Sequence, residues 1–308
     1  MFCRKSLTAI SKLYQIRSIQ TAVAAPSSHS APAILEYKPL PLSGTFVLDY
    51  RRDRQIIEDG YIPKGANFSI RFELLDENDY EFMTQYVTEH FVKESNVCRH
   101  LQLKGDELIE LIQQQVIQWI SCKNSVLVKH DEKIIGTALG SLHTREEFND
   151  LFRGELFHDN PKFVIKKDYA EDIRNGPFKS HNLNRLGVLL EELMWQTGKF
   201  LPKDIQKLAM HELAAIHPKY SRYGLATKGA ETLQKIMVKQ GCTHEVGYSV
   251  ALGTYKMSKK FGHHTLYSLP YDQFLENGKP VFHNLFDNAI AGYATFLDYK
   301  KDKIGRKD

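Results

Sequence analysis

Residues 206–262 constrain the fold most, because they combine a strand, a tight turn and a long helix. The apolar segment 213–216 predicts a strand that ends next to Pro218, since proline has no N–H for a β-ladder. From about 224 to 240, apolar residues recur every third or fourth position with charged residues between them, which predicts an amphipathic helix. Gly241 ends that helix, because glycine tolerates the positive φ of a helix C-terminus.

The polar turn between this strand and this helix is a candidate anion site. Its free amides lie at a helix N-terminus, where the helix dipole favours negative charge. Gly224 and Ala226 carry little side-chain bulk, so a phosphate can approach the backbone. A strand-to-helix turn without a ligand explains the same residues. The Gly-x-Ala pattern is neither Gly-x-Gly-x-x-Gly nor a P-loop, which disfavours dinucleotides and nucleoside triphosphates.

Composition and charge are those of an ordinary globular protein. The chain has 308 residues, of which 42% are hydrophobic and 25% charged. No run approaches the roughly 18 apolar residues that a membrane-spanning helix needs. Four of the 41 Lys and Arg lie in residues 1–35, and the remaining 37 equal the 37 Asp and Glu. The near-neutral remainder gives no electrostatic argument for nucleic-acid binding.

The N-terminal residues 1–35 have the composition of a targeting leader. They contain no Asp or Glu, are rich in Ser, Thr and Ala, and carry two arginines. Leu7, Ile10 and Tyr14 share one face of a helix, as in a mitochondrial transit peptide. The segment therefore predicts a mitochondrial location, with a disordered tail on a cytoplasmic protein as the alternative.

The rest of the chain predicts one domain. Residues 36–66, rich in Pro and Gly, form an extended lead-in, and residues 67–300 form the domain itself. Within it, about 143–183 is an insertion, and 301–308 is a basic tail. The element order predicts an α/β fold with a central mixed sheet and helices on both faces. Its last strands are expected near 264–271 and 280–285, and no cysteine or histidine spacing indicates a disulfide framework or a metal site.

The pattern His-Pro-x-Tyr-x-x-x-Gly-x-Ala after the central strand resembles the GNAT superfamily of acetyl-CoA-dependent N-acetyltransferases. That superfamily has Arg or Gln, two residues, Gly, one residue, and Gly or Ala. Gly224 and Ala226 match, while Ser221 replaces the Arg or Gln. Residues 256–263 resemble the superfamily's second helix, which ends in Lys-x-Gly-Phe. Residues 269–282 resemble the tail of the insect-type arylalkylamine N-acetyltransferases, so the likeness covers about 68–295.

The resemblance implies acetyl-CoA as the co-substrate and no metal. The coenzyme's pyrophosphate would lie on the amides of the turn, and its thioester would lie beside the central strand. The acetyl group would pass directly to an amine. The binding residues implied are Ala214, Ala215, Ile216, Ser221, Arg222, Tyr223, Gly224, Leu225, Ala226 and Thr227.

The resemblance also implies catalytic residues. Glu94, in a break of helical pattern, lies where the arylalkylamine branch has its catalytic Glu, although Ser95 and Asn96 replace Pro and Leu. A carboxylate beside the amine offsets the cost of removing its proton, about 4 kcal/mol for three pKa units. Thr254 lies at one of the branch's serines, and Ser258 replaces the superfamily's Tyr. A solvated loop carboxylate and helix-capping hydroxyls are the alternative interpretations.

The expected partner is a small primary amine, with arylalkylamines as one candidate class, and the oligomeric state stays open. Four aromatic residues are candidates for an amine pocket, namely Tyr86, Phe91, Trp195 and Tyr248. Two alternatives remain. One is transfer to a protein lysine or another acyl acceptor. The other is a non-catalytic acyl-CoA-binding module, which Ser221 and the missing Tyr at position 258 favour.

Overall fold

The computed structural model describes residues 34–41 and 45–301, so residues 1–33 of the predicted leader and most of the basic tail lie outside the described residues. The strands are β1 (Val47–Leu48), β2 (Ile56–Tyr61), β3 (Ile70–Leu74), β4 (Val126–His130), β5 (Lys133–Thr144), β6 (Lys207–Ile216), β7 (His244–Ser249), β8 (His264–Pro270), β9 (Leu275–Glu276), β10 (Lys279–Pro280) and β11 (Ala291–Asp298). The α-helices are α1 (Tyr80–Glu94), α2 (Asn96–His100), α3 (Gly105–Ser121), α4 (Phe148–Leu151), α5 (Ala170–Arg174), α6 (His181–Trp195), α7 (Leu225–Lys239) and α8 (Leu252–Lys260). None of these helices is long and apolar enough to cross a membrane.

A mixed nine-stranded sheet forms the centre of the molecule. Its order is β2-β3-β4-β5-β6-β7-β11-β8, with β1 added against β5. The pair β6–β7 is parallel, and the other pairs in this sheet are antiparallel. The predicted α/β class with a mixed sheet is confirmed.

Helices cover both faces of the sheet, as predicted. Leu127 and Leu139 belong to the core cluster beneath α1, α3 and α6. Their neighbours Val126 and Ala138 belong to a separate cluster with Leu225 of α7. Because successive side chains of a strand point to opposite faces, the two clusters lie on opposite sides of the sheet. Residues 143–183, predicted as an insertion, contribute α4, α5 and the fully buried Tyr169 to this domain.

The lead-in 36–66 supplies β1 and β2 to the sheet. A buried ionic cluster attaches it to the sheet. The Arg54 guanidinium lies 2.6 Å from Asp79 and 2.6 Å from Asp49. Lys129, on β4 and fully buried, lies 2.9 Å from Asp49 and 3.5 Å from Glu73. These pairings join residues far apart in sequence, so local pattern does not show them.

The C-terminal strand was expected at 280–285, and this prediction is wrong. Pro280 lacks the N–H that a continuing ladder requires, and Asn284 has a left-handed backbone with φ 49°. Phe282 is buried in the main core from a loop. The strand that completes the sheet is β11, which lies between β7 and β8.

Candidate functional site

The two parallel strands separate in the middle of the sheet. Pairing of β6 with β7 ends at His211 opposite Gly247, although β6 continues to Ile216. On its other side, β6 pairs Leu213 with Leu139 but His211 with Gly140. Glu212 is therefore an extra residue, a β-bulge that bends the strand and re-aims its own side chain. The bulge and the separation together open a gap between β6 and β7.

A cavity of about 400 Å³ occupies this gap. Its walls come from β5, β6 and β7, from the first three turns of α7, from α8, from the junction of α1 with α2, and from the loop at Phe286. Five of the predicted catalytic and coenzyme-binding residues line it, namely Glu94, Ala214, Ala226, Thr254 and Ser258. The structure thus brings together side chains that lie up to 164 positions apart in the chain.

The predicted anion turn has an open backbone. Gly224 has φ 73°, and a Cβ placed there would meet no atom within 4 Å. The preceding Arg222 is also left-handed, with φ 71°, and is exposed. Ser221 and Thr227 are exposed beside them. This backbone therefore leaves room for a ligand at the start of α7.

The other predicted binding residues are partly used in packing. Ala215 and Leu225 are buried in the two cores, so their backbones alone are available to a ligand. Ile216 packs with the cluster beneath α7. Tyr223 makes an edge-on contact with Phe68, with ring centroids 5.1 Å apart.

Glu212 is a carboxylate that sequence reasoning missed. It accepts hydrogen bonds from the Ser141 hydroxyl, at 2.5 Å, and from the Trp119 indole. Protein surrounds most of the side chain, while the remainder faces the cavity. Burial raises the pKa of Glu212 to about 7, although both hydrogen bonds oppose the shift. Such a group exchanges protons readily at neutral pH, as a general base requires.

The predicted base Glu94 lies at the cavity mouth. It is exposed, and it is the last residue of α1. The helix break beside it is fixed by Asn96, whose amide donates to the Val250 carbonyl at 2.9 Å and to Asp287 at 3.1 Å. Asp287 also accepts from the Leu252 amide at 2.9 Å, which caps α8. Asn96 and Asp287 are 191 positions apart, so no local signal revealed this arrangement.

Three hydroxyl groups border the cavity near α8. Ser258 donates to the Thr254 carbonyl at 3.2 Å, and the Thr254 side chain is exposed. Ser249 at the end of β7 is 1% exposed, and its Oγ has no hydrogen-bond partner within the described part of the chain. The neighbouring Tyr255 is directed elsewhere, since it stacks on Tyr293 at 3.8 Å. Ser249 is thus a buried donor that a ligand in the cavity can satisfy.

A second buried carboxylate, Glu245 of β7, lies on the α7 side of the sheet. It is fully buried and accepts from Gln234 at 2.9 Å and from Tyr299 at 2.6 Å. His263 lies 3.1 Å away and the cavity residue His211 lies 3.5 Å away. Burial opposes ionisation, but His211, His263 and Tyr299 outweigh it and lower the pKa of Glu245 to about 2. Burial also lowers the pKa of His211, so we attribute the ionised state of Glu245 chiefly to its hydrogen bonds.

The predicted aromatic pocket is largely wrong. Tyr86 is 1% exposed in the main core, and Phe91 packs against that core. Trp195 lies against Lys199, with the ammonium 4.9 Å from the ring centroid. Tyr248 alone of the four lines the cavity, together with Phe286, which the sequence did not indicate. The aromatic residues in helices mainly pack in or against the core, as such residues commonly do.

Comparison with solved structures identifies the architecture. Drosophila melanogaster polyamine N-acetyltransferase aligns with 74% of this chain and 99% of its own, at 12% identity and a TM-score of 0.57. Arylalkylamine N-acetyltransferase 2 from Aedes aegypti aligns with 74% and 98%, at 16% identity and a TM-score of 0.58. The fold is that of the GNAT acetyltransferases. The C-terminal condensation domain of Ebony, in complex with β-alanyl-dopamine, shares this GNAT fold at 12% identity, with 75% and 99% covered and a TM-score of 0.53.

Sequence comparison gives no family assignment: no family model matches the chain, and no curated protein matches it significantly. Identities this low establish the GNAT fold, and the reaction has to be argued from the site. Across the described residues, 34–41 and 45–301, no group of three or more His, Cys, Asp or Glu could hold a metal ion.

Proposed function

We propose that this protein transfers an acetyl group from acetyl-CoA to a small primary amine. The observation that carries the proposal is the β-bulge at Glu212. It places a carboxyl group with a pKa near neutrality in the gap between the separating strands, in the cavity that Ala226 in the first turn of α7 also lines. A carboxyl group of this kind is suited to taking a proton from an ammonium ion.

The residues around the cavity fit the coenzyme. The turn at 221–227 offers amides at a helix N-terminus, an unobstructed Gly224 and the exposed cation of Arg222 for a pyrophosphate. Beyond His211, the edge of β6 that faced β7 has no strand partner, so its polar backbone groups can accept a ligand. When bound, acetyl-CoA supplies a thioester carbonyl that an amine can attack.

Glu212 and Glu94 have different roles in this proposal. Glu212, inside the cavity, removes the proton of the ammonium ion and exposes the nitrogen lone pair. Glu94, exposed at the mouth, attracts the incoming cation. The base is therefore assigned to Glu212 and no longer to the residue that the sequence favoured. Ser249, Thr254 and Ser258 supply hydroxyls that can donate a hydrogen bond to the departing thiolate.

The amine class follows from the cavity lining. Leu233, Met257 and Phe286 supply apolar surface, while Glu94 and Asp287 supply negative charge. An amine with an apolar or aromatic body can pack on the apolar residues. An amine with an additional cationic group can pair with the two carboxylates. Arylalkylamines and polyamines are the two classes that combine these features in different proportions, and they are the classes named for two of the structural neighbours.

An amine panel tests the proposal. The full chain is incubated with acetyl-CoA and tyramine, tryptamine, spermidine, agmatine or a lysine peptide, and free CoA thiol is measured. We expect amine-dependent thiol release with at least one small amine. Release with the lysine peptide alone would overturn the small-amine assignment. Tight coenzyme binding by calorimetry without release with any acceptor would establish a binding module.

The acid-free leader supports a mitochondrial location for this activity. Expression of the full chain with a C-terminal fluorescent tag tests it, against a chain that lacks residues 1–33. Co-localisation with mitochondria that is lost on removal of the leader is the expected result.

A further inference from the structure

The inference that follows rests on the proposed function. If Glu212 takes a proton from the amine in each turnover, that proton has to leave before the next turnover. The buried face of this residue contacts a row of polar groups on the neighbouring strand. Ser141 Oγ lies 2.5 Å from Glu212 Oε1 and 2.9 Å from His143 Nε2. Beyond the ring, His143 Nδ1 lies 4.0 Å from Glu147 Oε2. The groups thus form a line from the cavity towards the end of β5, hydrogen-bonded as far as His143 and followed by a 4.0 Å gap to Glu147.

The burial of the line changes along its length. Ser141 is fully buried and His143 is 1% exposed, whereas the Glu147 side chain is 28% exposed. Glu147 is held in place by the Thr144 amide, which donates to it at 2.8 Å. The line therefore begins at the cavity and ends where solvent can accept a proton.

We propose that Ser141, His143 and Glu147 form a proton relay that returns Glu212 to its ionised state. Protonated Glu212 gives its proton to Ser141 Oγ as the serine gives its own proton to His143 Nε2. His143 Nδ1 then releases a proton to Glu147 or to water. Each intermediate group accepts one proton and donates one, so the net change is one proton moved from Glu212 to the surface.

The ionisation properties of these groups suit a relay that works through a neutral ring. Burial lowers the pKa of His143 to about 4, so the ring is neutral near pH 7 and changes tautomer without gaining charge. Burial also raises the pKa of Glu147, which makes it a better proton acceptor. The other titratable or charged groups around Glu212 are His211 on β6, Tyr248 on β7, and Glu94 and Asp287 across the cavity.

The relay makes a prediction that needs no turnover. When Glu212 is ionised, Ser141 donates to it and His143 must donate from Nε2. When Glu212 is protonated, the direction reverses and His143 carries its proton on Nδ1. Nitrogen NMR of histidine-labelled full chain distinguishes the two tautomers, and subtraction of the His143→Gln spectrum assigns the signal.

We expect the His143 tautomer to change from Nδ1–H to Nε2–H between about pH 5.5 and 8.5, as Glu212 ionises. Ser141→Ala should abolish this change and Ser141→Thr should preserve it. A single tautomer over the whole range in the parent protein overturns the relay. This outcome is independent of whether the amine panel reveals acetyl transfer.

Kinetics provide a second readout if the panel identifies a substrate. His143→Gln and Glu147→Gln should leave the first turnover near the parent rate and slow later turnovers about tenfold, since Glu212 then stays protonated. A purely structural role predicts equal slowing of both phases, and that result contradicts the proposal. His244→Gln, another buried histidine outside the cavity, is the matched control, and thermal denaturation establishes that each variant is folded.

Discussion

Two buried glutamates on adjacent strands have opposite ionisation properties. Glu212 faces the α3 side of the sheet and has neutral donors, a serine hydroxyl and an indole. Glu245 faces the α7 side and has a tyrosine, a glutamine and two histidines. Burial disfavours the charge on both, so the partners decide the outcome: the pKa is about 7 for one and about 2 for the other. We infer that the first is chemically active and the second is structural.

The largest expected effect comes from Glu212→Gln, which keeps the shape of the side chain and removes its basicity. If Glu212 is the general base, kcat should fall by about 10² to 10⁴ with little change in KM for acetyl-CoA. Thiol-release kinetics on the best amine of the panel measure this loss. Glu94→Gln is the matched control and should mainly raise KM for the amine. A larger kcat loss for Glu94→Gln would return the base to the residue that the sequence favoured.

Glu245→Gln should act on stability instead. The amide replaces one acceptor oxygen with an NH₂ donor in a fully buried site where Gln234 and Tyr299 already donate, so we expect the free energy of unfolding to fall by about 2–4 kcal/mol at pH 7. Urea denaturation measures the difference, and kcat per folded molecule should change less than tenfold. Since the pKa of Glu245 is lowered on folding, its stabilisation is present above pH 4.5 and declines as the pH falls towards 2. The gap between parent and variant should close over that range.

The smallest effect is the reverse pH dependence at Glu212. Its pKa is raised on folding from 4.5 to about 7, so its stabilising contribution is complete below pH 4.5 and is lost as the pH rises through 7. Relative to the parent, Glu212→Gln should therefore gain about 1 kcal/mol between acid and mildly alkaline pH, a figure reduced for access of solvent through the cavity. Urea titrations of the two proteins across this range measure the gain. Parallel stability curves would show that the Glu212 carboxyl titrates normally.

The sequence predicted what depends on local pattern. The helix α7 was expected at about 224–240 and begins and ends within one residue of that range, because its apolar period and the Gly241 terminus are local signals. The turn at 221–226 is predicted as an anion site, and its left-handed Gly224 agrees with an open turn.

What the sequence did not show depends on contacts between distant segments. The bulge at Glu212 is defined by how β6 pairs with β5, a strand far away in the sequence. The residues around Glu212 therefore do not predict it. The hydrogen bond between Asn96 and Asp287 likewise joins residues far apart in the sequence, and so does the ionic cluster of the lead-in. The sequence does not predict β11, because the apolar residues near Phe282 have the pattern of a strand although they pack into the core from a loop.

The ionic cluster of the lead-in limits how far the N-terminus can be processed. Removal of residues 1–33 leaves every pairing of Asp49 and Arg54 intact. Cleavage beyond Arg54 would deprive Asp79 of its closest cation and leave Lys129 with Glu73 as its remaining acidic partner. A charge stranded in this way is costly inside a protein. Any N-terminal cleavage that preserves this ionic cluster therefore has to fall before Asp49.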